Sequence, residues 1–107
     1  MGIAVGIDLG TTNSVVAWVN PQGQTVILPN AEGKNITPSV VSFVSGDVVV
    51  GAQAKELQAL GEPEVASFFK RYMGESHYAF HASDAEYSAV ELSTFVLAAL
   101  KRDAEAA

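Results

Sequence analysis

The sequence predicts a mixed α/β fold in which an antiparallel strand meander is flanked by helices. Three features of the chain indicate this class. Short β-branched, apolar runs at the start are separated by turns rich in glycine, asparagine and proline. A segment of helix-forming residues follows them, and a segment of helical apolar period closes the chain. Its 107 residues are enough for one domain or part of one.

The first half of the chain has the pattern of strands. Apolar runs at residues 3–9, 14–19 and 24–28 are separated by two short turn sequences and predict a three-stranded meander. Residues 29–37 are polar and predict a loop that leads to Pro38. Residues 39–44 and 48–50 are again β-branched, so we expect two further strands joined by a turn at residues 45–47.

The second half is predicted to be mainly helical. Residues 51–60 favour a helix that ends before Gly61, and residues 64–69 favour a short helix or turn. Residues 77–86 fit a hairpin turned at residues 83–84. Ser88 and Glu91 form a capping-box pattern ahead of apolar residues at helical spacing. The last helix then reaches Ala107 without a stop signal, which indicates that the chain ends inside a helix.

Composition limits the kind of protein. Apolar residues make up 49% of the chain and charged residues 17%, below the roughly 25% charge typical of soluble domains. So apolar a chain is expected to expose a patch that further chain or a partner covers, and to self-associate when uncovered. The net charge of −6 is spread along the sequence, which argues against binding to nucleic acid or to an anionic membrane.

Cysteine is absent from the sequence. This excludes a disulfide framework, a thiolate metal site and a cysteine nucleophile, and it fits a cytoplasmic location. No apolar run approaches the roughly 20 residues that cross a bilayer. His77 and His81 have no fixed third ligand, so they are interpreted as structural or surface residues.

The turn between the first two strands carries the candidate chemistry. Asp8 lies at a strand end and is followed by Gly10, Thr11, Thr12 and Asn13. Gly10 can adopt a positive φ and lets backbone N–H groups approach an anion, while the threonines add hydroxyl donors. Asp8 would hold a hard cation such as Mg²⁺ beside a phosphate. An ordinary hairpin turn is the alternative, and neither a P-loop nor a dinucleotide fingerprint is present.

The sequence around this turn resembles a known family. Residues 5–14, Val-Gly-Ile-Asp-Leu-Gly-Thr-Thr-Asn-Ser, are similar to the first phosphate loop of the seventy-kilodalton heat-shock (DnaK) chaperones, members of the actin-like ATPase superfamily. Further similar motifs follow in the same order, at residues 30–33, 37–39, 50–55 and 69–74. Residues 72–74 and 91–93 most resemble the HscC-type branch.

The resemblance implies a partial actin-like ATPase domain of ribonuclease H-like fold. Residues 1–107 would be the N-terminal part of one lobe of the nucleotide-binding domain, without the second lobe and the peptide-binding domain. A full-length parent would couple ATP binding and hydrolysis to the capture and release of unfolded polypeptides. It would work with a J-domain co-chaperone and a nucleotide exchange factor.

The same resemblance implies a role for individual residues. Asp8 would lie near Mg²⁺, and Gly10, Thr11, Thr12 and Asn13 would surround the β- and γ-phosphates of ATP or ADP. Lys70 would reach the γ-phosphate as the catalytic residue, where its charge would stabilise the transferring phosphoryl group. Taken alone, a lysine here is interpreted as a solvated side chain at a helix end, and the flanking motif, Phe69 and Gly74, favours the catalytic role instead.

Other functions stay open at this point. A different actin-like ATPase or a sugar kinase shares the Asp-Leu-Gly-Thr-Thr pattern but would lack the later motifs. A stand-alone interaction domain that lost nucleotide use is the alternative outside enzymes. The chain alone is expected to bind nucleotide weakly or not at all, because most of the family's site would lie elsewhere.

Overall fold

The computed structural model describes residues 5–44, 46–75, 78–82 and 85–106. Its first three strands form the expected antiparallel meander: β1 Val5–Leu9, β2 Asn13–Val19 and β3 Thr25–Leu28. Val16 of β2 lies opposite Ile7 and Leu28 and is buried, so this face packs on the core. Since side chains alternate along a strand, Asp8 lies on the opposite face of the sheet.

A short strand links the meander to a second sheet. β4 Thr37–Pro38 pairs with the first two residues of β2. Next, β5 Val40–Ser42 pairs with β6 Val49–Val50 in the second sheet. The strand predicted at residues 39–44 is therefore shorter, and Thr37 lies in a strand instead of the predicted loop. The chain changes sheets at Ser39, whose N–H donates to the Thr12 carbonyl while Val40 already pairs elsewhere.

The prediction of a short helix or turn at residues 64–69 is wrong. Residues Val65–Ser67 form strand β7, which pairs antiparallel with β5. Val65 and Ala66 are both buried, and helix α1, Ala52–Ala59, packs against this sheet. The helix predicted at residues 51–60 is thus confirmed. Pairing with a distant strand, with Val40 opposite Ser67, overrides the local preference for a helix or turn.

The capping box at the last helix is confirmed. The Ser88 N–H donates to Glu91 Oε1 at 3.0 Å, and the Glu91 N–H donates to Ser88 Oγ at 3.1 Å. Helix α2 then spans Ala89–Ala106. Its buried side chains, Leu92 and Val96 among them, pack with Val16 of the first sheet and Val41 of the second. The helix thus holds the two sheets around one core.

The expected hairpin in the second half is also confirmed. Strands β8 Phe80–Ala82 and β9 Ala85–Tyr87 pair antiparallel, while the predicted turn at residues 83–84 lies outside the described residues. Tyr87 stacks on Phe43 with ring centroids 4.5 Å apart, which fixes the hairpin to the end of β5. Across the described ranges, no helix has the length and apolar character needed to cross a membrane.

Candidate functional site

The glycine–threonine turn, residues 10–13, connects β1 and β2 at one end of the meander. Asp8 lies just before it, opposite Val15, with an exposed side chain. Thr11 is half-buried, and Thr12 and Asn13 are exposed. This end of the hairpin therefore carries a carboxylate, two hydroxyls and an amide that are exposed or half-buried, and their role in binding stays a prediction.

Gly10 is required for a different reason from the one predicted. It does not adopt a positive φ, unlike several other described glycines. Instead, a Cβ at this position would collide with the carbonyl oxygen of Asn13. The backbone of the turn folds back so closely on itself that only a residue without a side chain fits.

We expect Gly10→Ala to reduce the stability of the chain by about 1–3 kcal/mol, because the turn must open to admit the methyl group. Gly6→Ala is the matched control, since a Cβ on Gly6 meets no atom within 4 Å and that glycine also lacks a positive φ. The control should change stability by less than about 1 kcal/mol. Urea unfolding followed by circular dichroism measures both. Equal effects of the two substitutions would contradict the crowding at Gly10.

Ser39 lies directly behind the turn and is 2% exposed. Its Oγ donates to the Gly10 carbonyl at 2.8 Å and lies 2.8 Å from Ser14 Oγ. Its N–H donates to the Thr12 carbonyl at 2.9 Å. Sequence reasoning noted the motif at residues 37–39 as part of the resemblance but gave Ser39 no role. These contacts attach the turn to the junction of the two sheets.

A small cleft of about 40 Å³ opens beside the turn. It brings the two threonines together with side chains from α1 and β7; its lining residues are Thr11, Thr12, Ser39, Val40, Lys55, Gln58, Ser67 and Phe68. Gln58 Nε2 donates to Ser67 Oγ at 2.8 Å and fixes the far wall. Lys55 adds a cation to the lining, which sequence reasoning did not assign to the site.

Lys70 lies on a 3₁₀ turn, Phe69–Tyr72, that follows β7. Phe69 is buried in the core, whereas Lys70 is exposed. Within the described ranges the Lys70 ammonium makes no hydrogen bond or ion pair. The structure brings its segment to the site, because Phe68 lines the same cleft as Thr11. Lys70 itself does not line this cleft, and its catalytic role stays a prediction.

The backbone is strained at Phe68, the residue before the 3₁₀ turn. Phe68 has φ 58° and ψ 15°, a left-handed conformation that is unusual for a bulky residue. The Arg71 guanidinium lies 5.2 Å from the centre of the Phe68 ring. This contact holds the exposed Phe68 ring, and with it the start of the 3₁₀ turn.

The other end of the 3₁₀ turn is also fixed by an aromatic contact. The Tyr72 ring stacks on Tyr78 with centroids 4.5 Å apart. Burial raises the pKa of the Tyr78 phenol, and the neighbouring Tyr72 raises it further. The segment that carries Lys70 is therefore packed at both ends while the lysine itself faces solvent.

The residues at the turn fit a magnesium ion held mainly by phosphate and water. Mg²⁺ commonly uses one or two carboxylates and keeps several waters. Asp8 supplies an exposed carboxylate, and the described residues contain no group of three or more side chains that could form a complete protein cage.

The two histidines lie away from this turn in the sequence. His81 forms an exposed pair with Glu86 at 3.3 Å, and His77 lies outside the described residues.

Comparison with known proteins identifies the family. The family model described as Hsp70 protein matches residues 4–85, which include the glycine–threonine turn, Ser39 and Lys70. This chain belongs to the Hsp70 family. The glycine–threonine turn, the cleft and the 3₁₀ turn of this Hsp70 chain all lie within the matched residues.

Relatives of this Hsp70 chain carry the name chaperone protein DnaK. The protein of Thermotoga neapolitana is 50% identical over 103 residues, 95% of this chain. Those of Thermosipho melanesiensis and Mycoplasmopsis agalactiae are 48% and 45% identical over 94% and 96% of the chain. The chain spans 17% of the length of each of these relatives. The narrower resemblance to the HscC-type branch stays a prediction.

Proposed function

We propose that this Hsp70 chain is the N-terminal part of one lobe of a nucleotide-binding domain. The full-length parent would be a chaperone that couples ATP binding and hydrolysis to capture and release of unfolded polypeptides. The observation that carries the proposal is the turn itself, crowded at Gly10, open to solvent at Thr12 and preceded by an exposed carboxylate at Asp8. The DnaK names of the relatives support the chaperone role.

Membership of the Hsp70 family also supports a proposal for the partners and the location of the parent. The parent would work with a J-domain co-chaperone and a nucleotide exchange factor in the cytoplasm, where a cysteine-free chain needs no oxidising compartment. The chain by itself would bind nucleotide weakly, since it supplies one side of a site that the remaining length of the parent would complete. Experiments on activity therefore use the full-length parent.

The residues of the turn would bind the phosphates of ATP. Thr11 and Thr12 would donate hydroxyl and backbone N–H hydrogen bonds to phosphate oxygens, and the missing side chain at Gly10 keeps the backbone compact enough for this. Asp8 would hold Mg²⁺ directly or through water; when bound, the ion neutralises phosphate charge. Lys70 would stabilise charge on the transferring phosphoryl group and orient the attacking water, with no covalent intermediate.

The Asp8 carboxylate tests this function. We expect Asp8→Asn in the full-length parent to lower ATP turnover and to raise the Mg²⁺ concentration needed for half-maximal rate, because the amide keeps the shape but loses the charge. Asp47→Asn, another exposed acid on a turn of the second sheet, is the control and should leave both quantities unchanged. Steady-state rates over a magnesium titration measure them. Unchanged turnover and an unchanged magnesium requirement in Asp8→Asn would reject the assignment of Asp8 to the metal site.

We expect the isolated chain to self-associate. Within the described part of the chain, β3 has one paired edge only, and Val26 and Ile27 are 37% and 40% exposed. An open apolar edge is a template for pairing with another copy. We expect the chain to form dimers or larger species as its concentration rises, and Ile27→Lys to shift the equilibrium toward monomer. Light scattering coupled to size exclusion decides this, and a monomer at all concentrations would contradict it.

A further inference from the structure

The hydrogen bonds at Ser39 have a definite direction. Its hydroxyl has one proton, and that proton is donated to the Gly10 carbonyl. The Ser14 hydroxyl, 2.8 Å away, must then donate to Ser39 Oγ. Ser14 and Ser39 are 0% and 2% exposed, so water does not compete for these bonds. The result is a buried chain of donors that runs from Ser14 through Ser39 to the backbone of the glycine–threonine turn.

These bonds restrain two of the three peptide units of the turn, those that begin at Gly10 and Thr12. The carbonyl oxygens of Gly10 and Thr12 each accept a bond from Ser39, one from its hydroxyl and one from its N–H. A carbonyl dipole turned toward a phosphate would repel it, whereas the N–H of the same peptide unit attracts it. Holding the two carbonyls on the Ser39 side therefore keeps the turn in a form that an anion can bind. A buried side chain 29 residues from Gly10 fixes that form.

We propose that Ser39 is a positioning residue for the phosphates of the nucleotide, and that Ser14 orients its hydroxyl. The proposal rests on the proposed function, because it assigns Ser39 to the same phosphate site. Ser39 acts through the backbone of the turn and makes no contact with nucleotide. Its loss should weaken binding of phosphate groups selectively and leave the recognition of the nucleoside unchanged.

Affinities of the full-length parent for ADP and for adenosine test the proposal. Calorimetric titration of Ser39→Ala should show ADP binding weakened about tenfold, and adenosine binding unchanged, since adenosine has no phosphate for the turn to hold. Ser42→Ala is the matched control. Ser42 is another buried serine, 1% exposed, and its Oγ accepts from the Val44 N–H without contacting the turn. The control should bind both ligands like the unsubstituted protein.

Ser14→Ala is a second variant that keeps the test usable if Ser39→Ala does not fold. It removes only the donor that orients Ser39, so it should weaken ADP binding in the same direction by a smaller factor. An equal loss of ADP and adenosine affinity, or no loss for ADP, in the folded variants would overturn the positioning role. If the unsubstituted parent binds ADP no more tightly than adenosine, the proposed function fails and the inference falls with it. This comparison uses the unsubstituted parent alone, so failure of the proposed function is distinguished from failure of the positioning role of Ser39.

Discussion

Lys70→Ala in the full-length parent should lower ATP turnover by about 10²–10³-fold, the usual cost of removing one group that stabilises transition-state charge. The lysine would face a phosphoryl group whose negative charge is spread over its oxygens during transfer. Its side chain is exposed and makes no hydrogen bond or ion pair within the described residues. Stability should therefore be unchanged while turnover falls.

Arg71→Ala is the control for Lys70. It removes a neighbouring cation from the same 3₁₀ turn, but the Arg71 guanidinium lies over the Phe68 ring. Loss of that contact is worth about 0.5–1 kcal/mol at an exposed site, so turnover should change by a few-fold at most. Single-turnover hydrolysis with bound ATP separates the chemical step from binding. Equal rates for Lys70→Ala and the unsubstituted parent would remove Lys70 from the mechanism.

Phe69→Ala should reduce the stability of the chain by about 3–5 kcal/mol. Phe69 is 1% exposed and belongs to the core formed with Leu92 and Val96 of α2. Truncation would leave a cavity beneath the 3₁₀ turn that carries Lys70. Since domains of this size are stable by only about 5–15 kcal/mol, this loss would be a large fraction of the total stability. Urea unfolding followed at 222 nm measures the change.

The neighbouring phenylalanine provides the comparison. Phe68 is 44% exposed and contacts the Arg71 guanidinium through its ring. Phe68→Ala should cost less than about 1 kcal/mol, because it removes one exposed contact and opens no cavity. A loss from Phe69→Ala no larger than that from Phe68→Ala would show that the 3₁₀ turn is not anchored through the core.

Most of the fold was predicted from short stretches of the sequence. The meander followed from β-branched runs divided by turns, and the start of α2 followed from Ser88 and Glu91, three residues apart. Both depend on neighbours along the sequence. β7 was missed because its residues become a strand only by pairing with β5, a non-local contact that leaves no periodic signal in three residues.

The sequence pattern pointed to the exposed residues of the candidate site but not to the buried residue that supports them. Asp8, Thr11 and Thr12 are contiguous enough to be recognised together, and the structure exposes or half-exposes all three. Gly10 was noted for a positive φ that it does not adopt, and the collision with Asn13 that demands a glycine depends on the shape of the turn. The contact of Ser39 with Gly10 joins residues 29 positions apart, so no spacing rule could reveal it.

Residues 10–13 are proposed to bind the phosphates of a nucleotide, with Lys70 approaching the terminal phosphate. A crystal structure of the full-length parent with Mg²⁺ and a non-hydrolysable ATP analogue would locate these groups. We expect Thr11 and Thr12 to lie within hydrogen-bonding distance of phosphate oxygens and the Lys70 ammonium to lie beside the γ-phosphate. A nucleotide bound elsewhere, with residues 10–13 facing away from it, would contradict this binding mode.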